Sequence, residues 1–422
     1  MATPEPVISV QGGARLSGSV PIEGAKNSVL KLMAASILAP GISTIYNVPD
    51  ISDVRVMGEV LKEFGAQVVL SDHSVSIDTT LVSLVETPSE LGKEMRASVA
   101  LLGALIGRFG KARVAMPGGC EIGSRKLDQH YRTLEALGVC FNLKPGIIDA
   151  QVTESLRGAH VKLEFPSVGV TENLMMAAVK AQGTTSIENA AREPEIVDLA
   201  NFLRAMGAQI KDAGSPQITI EGTDRLSPVE GYKTVGDRIE AGTFLIAGAL
   251  GYGPVTVSGV APENLAAALA VLKEMGVEVS TTRDSITVRR EGPLKAVTIE
   301  TGPHPGFPTD LQAQFAILAI LAQGESTITE NIFESRFGFV DKLLSMGAEI
   351  DVEGRQAHIN GVARLSGAPV QAPDLRGGAA LVLAGLIANG RTDVSGIEHI
   401  ERGYENFVKK LQDIGAHIER RG

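Results

Sequence analysis

The sequence predicts an α/β fold built from six copies of one βαβ-type unit, and three observations lead there. First, a chain of 422 residues is too long for one hydrophobic core, so two or three domains are expected. Second, a Gly-Ala or Gly-Val step recurs in EFGAQV, ALGVCF, AMGAQI, EMGVEV, SMGAEI and DIGAHI, with glycines at Gly65, Gly138, Gly207, Gly276, Gly347 and Gly415. Successive glycines lie 73, 69, 69, 71 and 68 residues apart, the signature of an internal repeat. Third, every repeat opens with a segment that is apolar on nearly all sides, which marks a buried helix.

Within a repeat the elements follow one order. The Ala- and Leu-rich segments NSVLKLMAASILA, ASVALLGALIG, ENLMMAAVKA, AGTFLIAGAL, LQAQFAILAILA and GAALVLAGLIA are read as core helices. A glycine stops each one, and a short strand such as STIYNV, TTSIENA or STITEN follows. An amphipathic helix such as VRVMGEVLKEFG comes next, then two strands joined by a turn. Cys140, in LGVCFNL, reads as a strand residue facing the core.

The last repeat stops at GAHIERRG, whereas earlier ones run on into phrases such as AHINGVARLSGAPV. The missing phrase stands at the other end, as ISVQGGARLSGSV in residues 8–20. The expected organisation is therefore one domain from residues 1–22 with 236–422, and a second from 23–235. The chain would pass between them near PIEGAK and YKTVGDR, making a hinge.

Composition narrows the function. A formal charge of −10 and a pI near 5.4 speak against a nucleic-acid surface or a polybasic membrane anchor. MATPEPVISV has neither a basic n-region nor an apolar h-region, and apolar runs such as AALVLAGLIANG are shorter than the ~20 residues a membrane helix needs. A cytoplasmic protein is expected. Two cysteines, Cys120 and Cys140, make no disulfide framework. The seven histidines lack metal-ligand spacing, and neither GxGxxG nor a Walker A loop is present. No metal and no cofactor are expected.

The mouths of the core helices carry charge. Counting back 14 or 15 residues from the glycine that ends each helix reaches Lys26, Arg96, Gly169, Ile239, Asp310 and Arg376. Arg238 and Glu240 flank the fourth of these, and Asp374 lies two before Arg376. Ordinary capping accounts for Asp310 and Asp374. It does not account for Lys26, Arg96 and Arg376, because a cation at a helix N-terminus is unfavourable unless an anion sits there too. Cys120 follows PGG and precedes Arg125. Taken alone, it suits either an inert buried thiol or a loop thiol of lowered pKa.

The motifs GAKN (24–27), MRAS (95–98), PGGCEIGSR (117–125), PSVGVTEN (166–173), DRIEAGTF (237–244), HPGFPTDLQAQF (304–315), FESRF (333–337), DLR (374–376) and HIERGY (399–404) run in one order along the chain. In them the sequence resembles the enolpyruvyl transferase family, and within it the UDP-N-acetylglucosamine 1-carboxyvinyltransferases. The resemblance implies two inverted α/β domains of three units each, closing a cleft around the substrates. It implies transfer of the enolpyruvyl group of phosphoenolpyruvate to the 3′-hydroxyl of UDP-N-acetylglucosamine, with release of phosphate, at the start of peptidoglycan precursor synthesis. Such chemistry needs an acid, a base and anion clamps but no metal or redox group. By the same resemblance Lys26, Arg125 and Arg402 hold phosphoenolpyruvate with Arg96 nearby, Asn27 meets the amino sugar and Asp310 is the base. Cys120 is the loop thiol that fosfomycin alkylates. Arg125, Lys126, Leu127 and Asp128, together with Ser167, Val168 and Gly169, form the uridine-diphosphate site, and Ile332, Arg336, Asp374 and Arg376 complete the substrate contacts. Lys126 and Gly236 stand where the family usually has proline. A shikimate 3-phosphate enzyme, a paralogue for another uridine nucleotide and a non-catalytic binding protein are the alternatives.

Overall fold

The computed structural model describes residues 5–83, 97–116 and 127–422. Six core helices span Lys26–Ala35, Leu102–Phe109, Val168–Ala178, Arg238–Gly251, Gln312–Ile320 and Leu375–Ile387. Each is followed by a strand and an outer helical segment; two further strands complete the first five units, whereas only His417–Arg421 follows in the sixth. The repeating glycines all have φ between 91° and 105°, a region that side chains with a Cβ rarely enter. Each sits just after an outer helix, where only glycine turns the chain cheaply, so the motif recurs for a backbone reason.

The sheets share one plan. In the third repeat Thr184–Glu188 pairs antiparallel with Gln217–Glu221, which pairs with Gln209–Lys211, while His160–Lys162 lies parallel on the other side. The third core helix connects the two parallel strands, a βαβ crossover. The same crossover joins Thr298–Glu300 to Glu325–Thr329 and Pro369–Gln371 to Arg391–Ser395. Two parallel edge strands come from far away in sequence. Gly18–Pro21 pairs with Val255–Ser258 of the fourth repeat, and Tyr232–Lys233 pairs with Ile42–Tyr46 of the first. Val7–Gln11 lies between Arg391–Ser395 and His417–Arg421, antiparallel to both.

The described residues fall into two compact units, one of residues 5–23 and 236–422 and the other of those between 24 and 235. Each has its own core, built on three of the apolar helices. All fourteen residues of Arg238–Gly251 are buried, as a helix without a polar face requires. Small residues let such helices meet at the backbone. A Cβ on Gly103 would lie 2.2 Å from the Asn173 carbonyl oxygen, so no larger residue fits there.

Cys140 corrects one expectation. It lies on strand Val139–Lys144, but its side chain is exposed. Alternation along the strand gives the inward face to Val139, and Phe141 stacks on Tyr131 with ring centroids 4.8 Å apart. Among the described residues no helix is long and apolar enough to cross a membrane.

Candidate active site

In the unit of residues 236–422 the site is built at the mouths of three core helices. Asp310 sits in one turn of 3₁₀ helix, Thr309–Leu311, that leads into the fifth core helix. Its Oδ1 accepts from Arg336 Nη2 at 2.8 Å and from Arg376 Nε at 3.2 Å. Among the described residues Oδ2 accepts no hydrogen bond, and the Asp310 side chain keeps 30% of its surface while both arginines keep 5%. Partial burial works against the carboxylate. The positive charges of Arg376, Arg336 and Arg238 outweigh that and hold its pKa well below the usual carboxylate range. Asp310 is thus ionised, anchored through one oxygen and open at the other. It is not a helix cap.

The two flanking mouths are capped by aspartates. Asp374 accepts from the main-chain N–H groups of Arg376 (2.9 Å) and Gly377 (3.0 Å), and Asp237 from those of Ile239 (2.8 Å) and Glu240 (3.0 Å). Asp374, expected among the substrate contacts, therefore spends one oxygen in capping the helix that carries Arg376. Beneath Arg376 lies Tyr404, its ring centroid 5.5 Å from the guanidinium. The buried Tyr404 hydroxyl is 2.9 Å from Thr243 Oγ1 and accepts from Gln314 Nε2 at 3.2 Å, which joins residues from the fourth and fifth helices below the site. Arg402, two residues before Tyr404, is exposed just after the short helix Glu398–Glu401. Ile332 donates its N–H to Glu330 Oε1 at 2.7 Å.

In the unit of residues 24–235, Lys26 is the first residue of the first core helix, and its Nζ lies 2.6 Å from Asp53 Oδ2. Asp53 comes from the first turn of the next helix, Ser52–Glu63, and supplies an anion that offsets a cation at a helix N-terminus. Asn27 is half-buried beside it. A second cluster joins the start of helix Asp128–Glu135 to the start of the third core helix. Gln129 Nε2 donates to the Phe165 carbonyl at 2.8 Å, and Arg132 Nη1 meets Glu164 at 2.6 Å. Leu127 and Asp128 are thereby brought beside Ser167, Val168 and Gly169. A Cβ on Gly169 would lie 3.5 Å from His130 Cε1. Burial, then Lys31, push the His130 pKa down to about 4 against the opposing effect of Asp128, so this imidazole is neutral at pH 7.

Arg96, Cys120, Arg125 and Lys126 lie outside the described residues. Sequence reasoning passed over Asp53, Glu330, Tyr404 and Asp237. Tyr404 and Asp237 stand inside recognised motifs and were legible there. Asp53 and Glu330 act on residues 27 and 21 positions away, and no local pattern announces that.

A family model described as EPSP synthase (3-phosphoshikimate 1-carboxyvinyltransferase) matches residues 10–411. The chain is 51% identical over 411 residues to UDP-N-acetylglucosamine 1-carboxyvinyltransferase 3 of Caldanaerobacter subterraneus subsp. tengcongensis, covering 97% of this chain and 98% of that protein. It is 50% identical, with the same coverage, to UDP-N-acetylglucosamine 1-carboxyvinyltransferase of Corynebacterium jeikeium. Among solved structures, the enolpyruvyl transferase NikO from Streptomyces tendae superposes with a TM-score of 0.88 at 28% identity, over 99% of each chain. EPSP synthase from Acinetobacter baumannii superposes at 0.75 and 17% identity, over 99% of this chain and 100% of that one, a likeness of fold.

Proposed function

The chain belongs to the enolpyruvyl transferase family, and on that premise we propose that it moves the enolpyruvyl group of phosphoenolpyruvate to the 3′-hydroxyl of UDP-N-acetylglucosamine and releases phosphate. Half-identity over 97% of the chain to two proteins named for this reaction supports that acceptor above shikimate 3-phosphate. The observation that carries the chemistry is Asp310, an ionised carboxylate with one oxygen held by two buried guanidinium groups and the other without a hydrogen bond among the described residues.

In this reading Asp310 takes the proton of the 3′-hydroxyl through Oδ2 as the hydroxyl's own oxygen bonds to C2 of phosphoenolpyruvate. A proton added at C3 completes a tetrahedral intermediate. Loss of a proton from C3 and of phosphate from C2 then restores the double bond. Arg376 and Arg336 make Asp310 a weak base while they are bound to it. A dianionic substrate that draws off their charge raises its basicity at the moment it is needed. Lys26 and Arg402 act as phosphate and carboxylate ligands, as cations do, and Lys26 does so at a helix N-terminus. Leu127, Asp128, Ser167, Val168 and Gly169 form a platform for the uridine diphosphate, whose charge suits two helix N-termini.

Phosphate release from phosphoenolpyruvate, measured with either acceptor, tests the proposal. Rapid release with UDP-N-acetylglucosamine and only background with shikimate 3-phosphate is expected. The reverse pattern would move the chain to the shikimate branch, and no release with either acceptor would leave a binding protein.

A further inference from the structure

We propose that Glu330 is a positioning residue that sets the register between Asp310 and Arg336. This rests on the reading of Asp310 as the base. Glu330 directly follows the strand Glu325–Thr329 and is wholly buried. Its carboxylate divides its bonds between two segments. Oε1 accepts from the main-chain N–H groups of Ile332 (2.7 Å) and Phe333 (3.0 Å), at the start of the loop that carries Arg336. Oε2 accepts from the Thr309 hydroxyl at 2.8 Å, one residue before Asp310. The residue is itself held at both ends of its peptide, since its N–H donates to the Arg355 carbonyl at 2.8 Å and its own carbonyl accepts from Arg355 Nη1 at 3.2 Å.

One side chain thus ties the turn that presents the base to the loop that presents its guanidinium partner. A buried carboxylate costs several kcal/mol in desolvation unless it is bonded, and here three hydrogen bonds reach its two oxygens. A simpler loop closure would need only the bonds to Ile332 and Phe333. The bond to Thr309 is the added part, and it acts on the element that bears Asp310. Among the described residues the charged groups acting on Asp310 are Arg376, Arg336 and Arg238, and Asp237 in turn acts on Arg376. Loosening the tie lets Arg336 move off Asp310 and leaves the others in place.

The test uses Thr309→Val in the full-length enzyme, because Glu330→Ala removes three bonds at once and risks the fold. The valine is close in shape and lacks the hydroxyl. With the fold intact by circular dichroism, T309V is expected to lower kcat about tenfold with KM for both substrates near wild type, the pattern of a group acting in the transition state. The acid limb of its pH–rate profile is expected to move to higher pH. The sign follows from the pair: a carboxylate that loses a guanidinium partner holds its proton to a higher pH, so the ionised base is lost sooner on acidification. Thr309→Ser, which keeps the hydroxyl, restores the wild-type limb. A T309V enzyme with unchanged kcat and acid limb overturns the proposal. So does a T309V defect that T309S fails to rescue. Asp310→Ala separates the two readings: a nearly inactive D310A beside a wild-type T309V sinks only the role of Glu330, whereas a fully active D310A sinks the base and its positioning together.

Discussion

In the proposed reaction Asp310 is both anchored and reactive, and its two oxygens would divide those tasks, Oδ1 being the one held by Arg336 and Arg376. Replacing it with Ala is expected to lower turnover by about 10²-fold or more, as removal of a general base does. Steady-state phosphate release checks this, and a rate within threefold of wild type removes Asp310 from that role. His130 offers a prediction of stability rather than rate. In the unfolded chain an imidazole takes its proton near pH 6.5, whereas folded His130 stays neutral down to about 4. As pH falls through this window the unfolded state binds the extra proton first, so the folded state loses stability. Replacing His130 with Gln is expected to flatten that loss, which is on the order of 2–3 kcal/mol at one pKa unit per 1.4 kcal/mol. Urea unfolding at pH 7 and pH 4.5 measures it; equal slopes in the two proteins contradict it.

At the scale of elements, the core helices were readable because an all-apolar helix has only one place to go. Their caps were half readable. Asp374 and Asp310 looked alike in sequence, each an acid just ahead of an apolar helix, and the fold makes one a cap and the other the partner of two arginines. What separates them is the arrival of Arg336 from residues 26 positions on. Asp374→Ala is expected to cost about 1 kcal/mol of stability, the usual worth of an N-cap, with Asp374→Asn recovering most of it. Thermal unfolding of the two variants tests this, and equal losses would mean that charge rather than capping matters there. Cys140 shows the limit of hydrophobicity as a guide. Its strand was correctly read, but the side that faces the core depends on register, and one residue of offset turns a side chain outward.

At the scale of the whole molecule, residues 5–23 share a core with residues 236–422 and not with their neighbours in sequence. Val10 is wholly buried in an inner strand of a four-stranded sheet, between Arg391–Ser395 and His417–Arg421. Val10→Ala is expected to cost about 2 kcal/mol through lost contacts and the cavity left behind. Native-state hydrogen exchange should quicken at residues 391–395 and 417–421 and stay unchanged at 42–46. Equal quickening in both places would mean that the two cores unfold as one.

The sequence by itself determined the repeat, the core helices, the family motifs and the identities of most candidate site residues. Those features are local: a positive-φ glycine, a helix without a polar face and a run of matched residues all declare themselves within a few positions. Tertiary structure alone decided that Asp53 meets Lys26, that Asp310 is held by Arg336 and Arg376, and that Glu330 reaches back to Thr309. These pairings join residues from 21 to 66 positions apart. Each depends on where two separately packed elements end, which only the filled core settles.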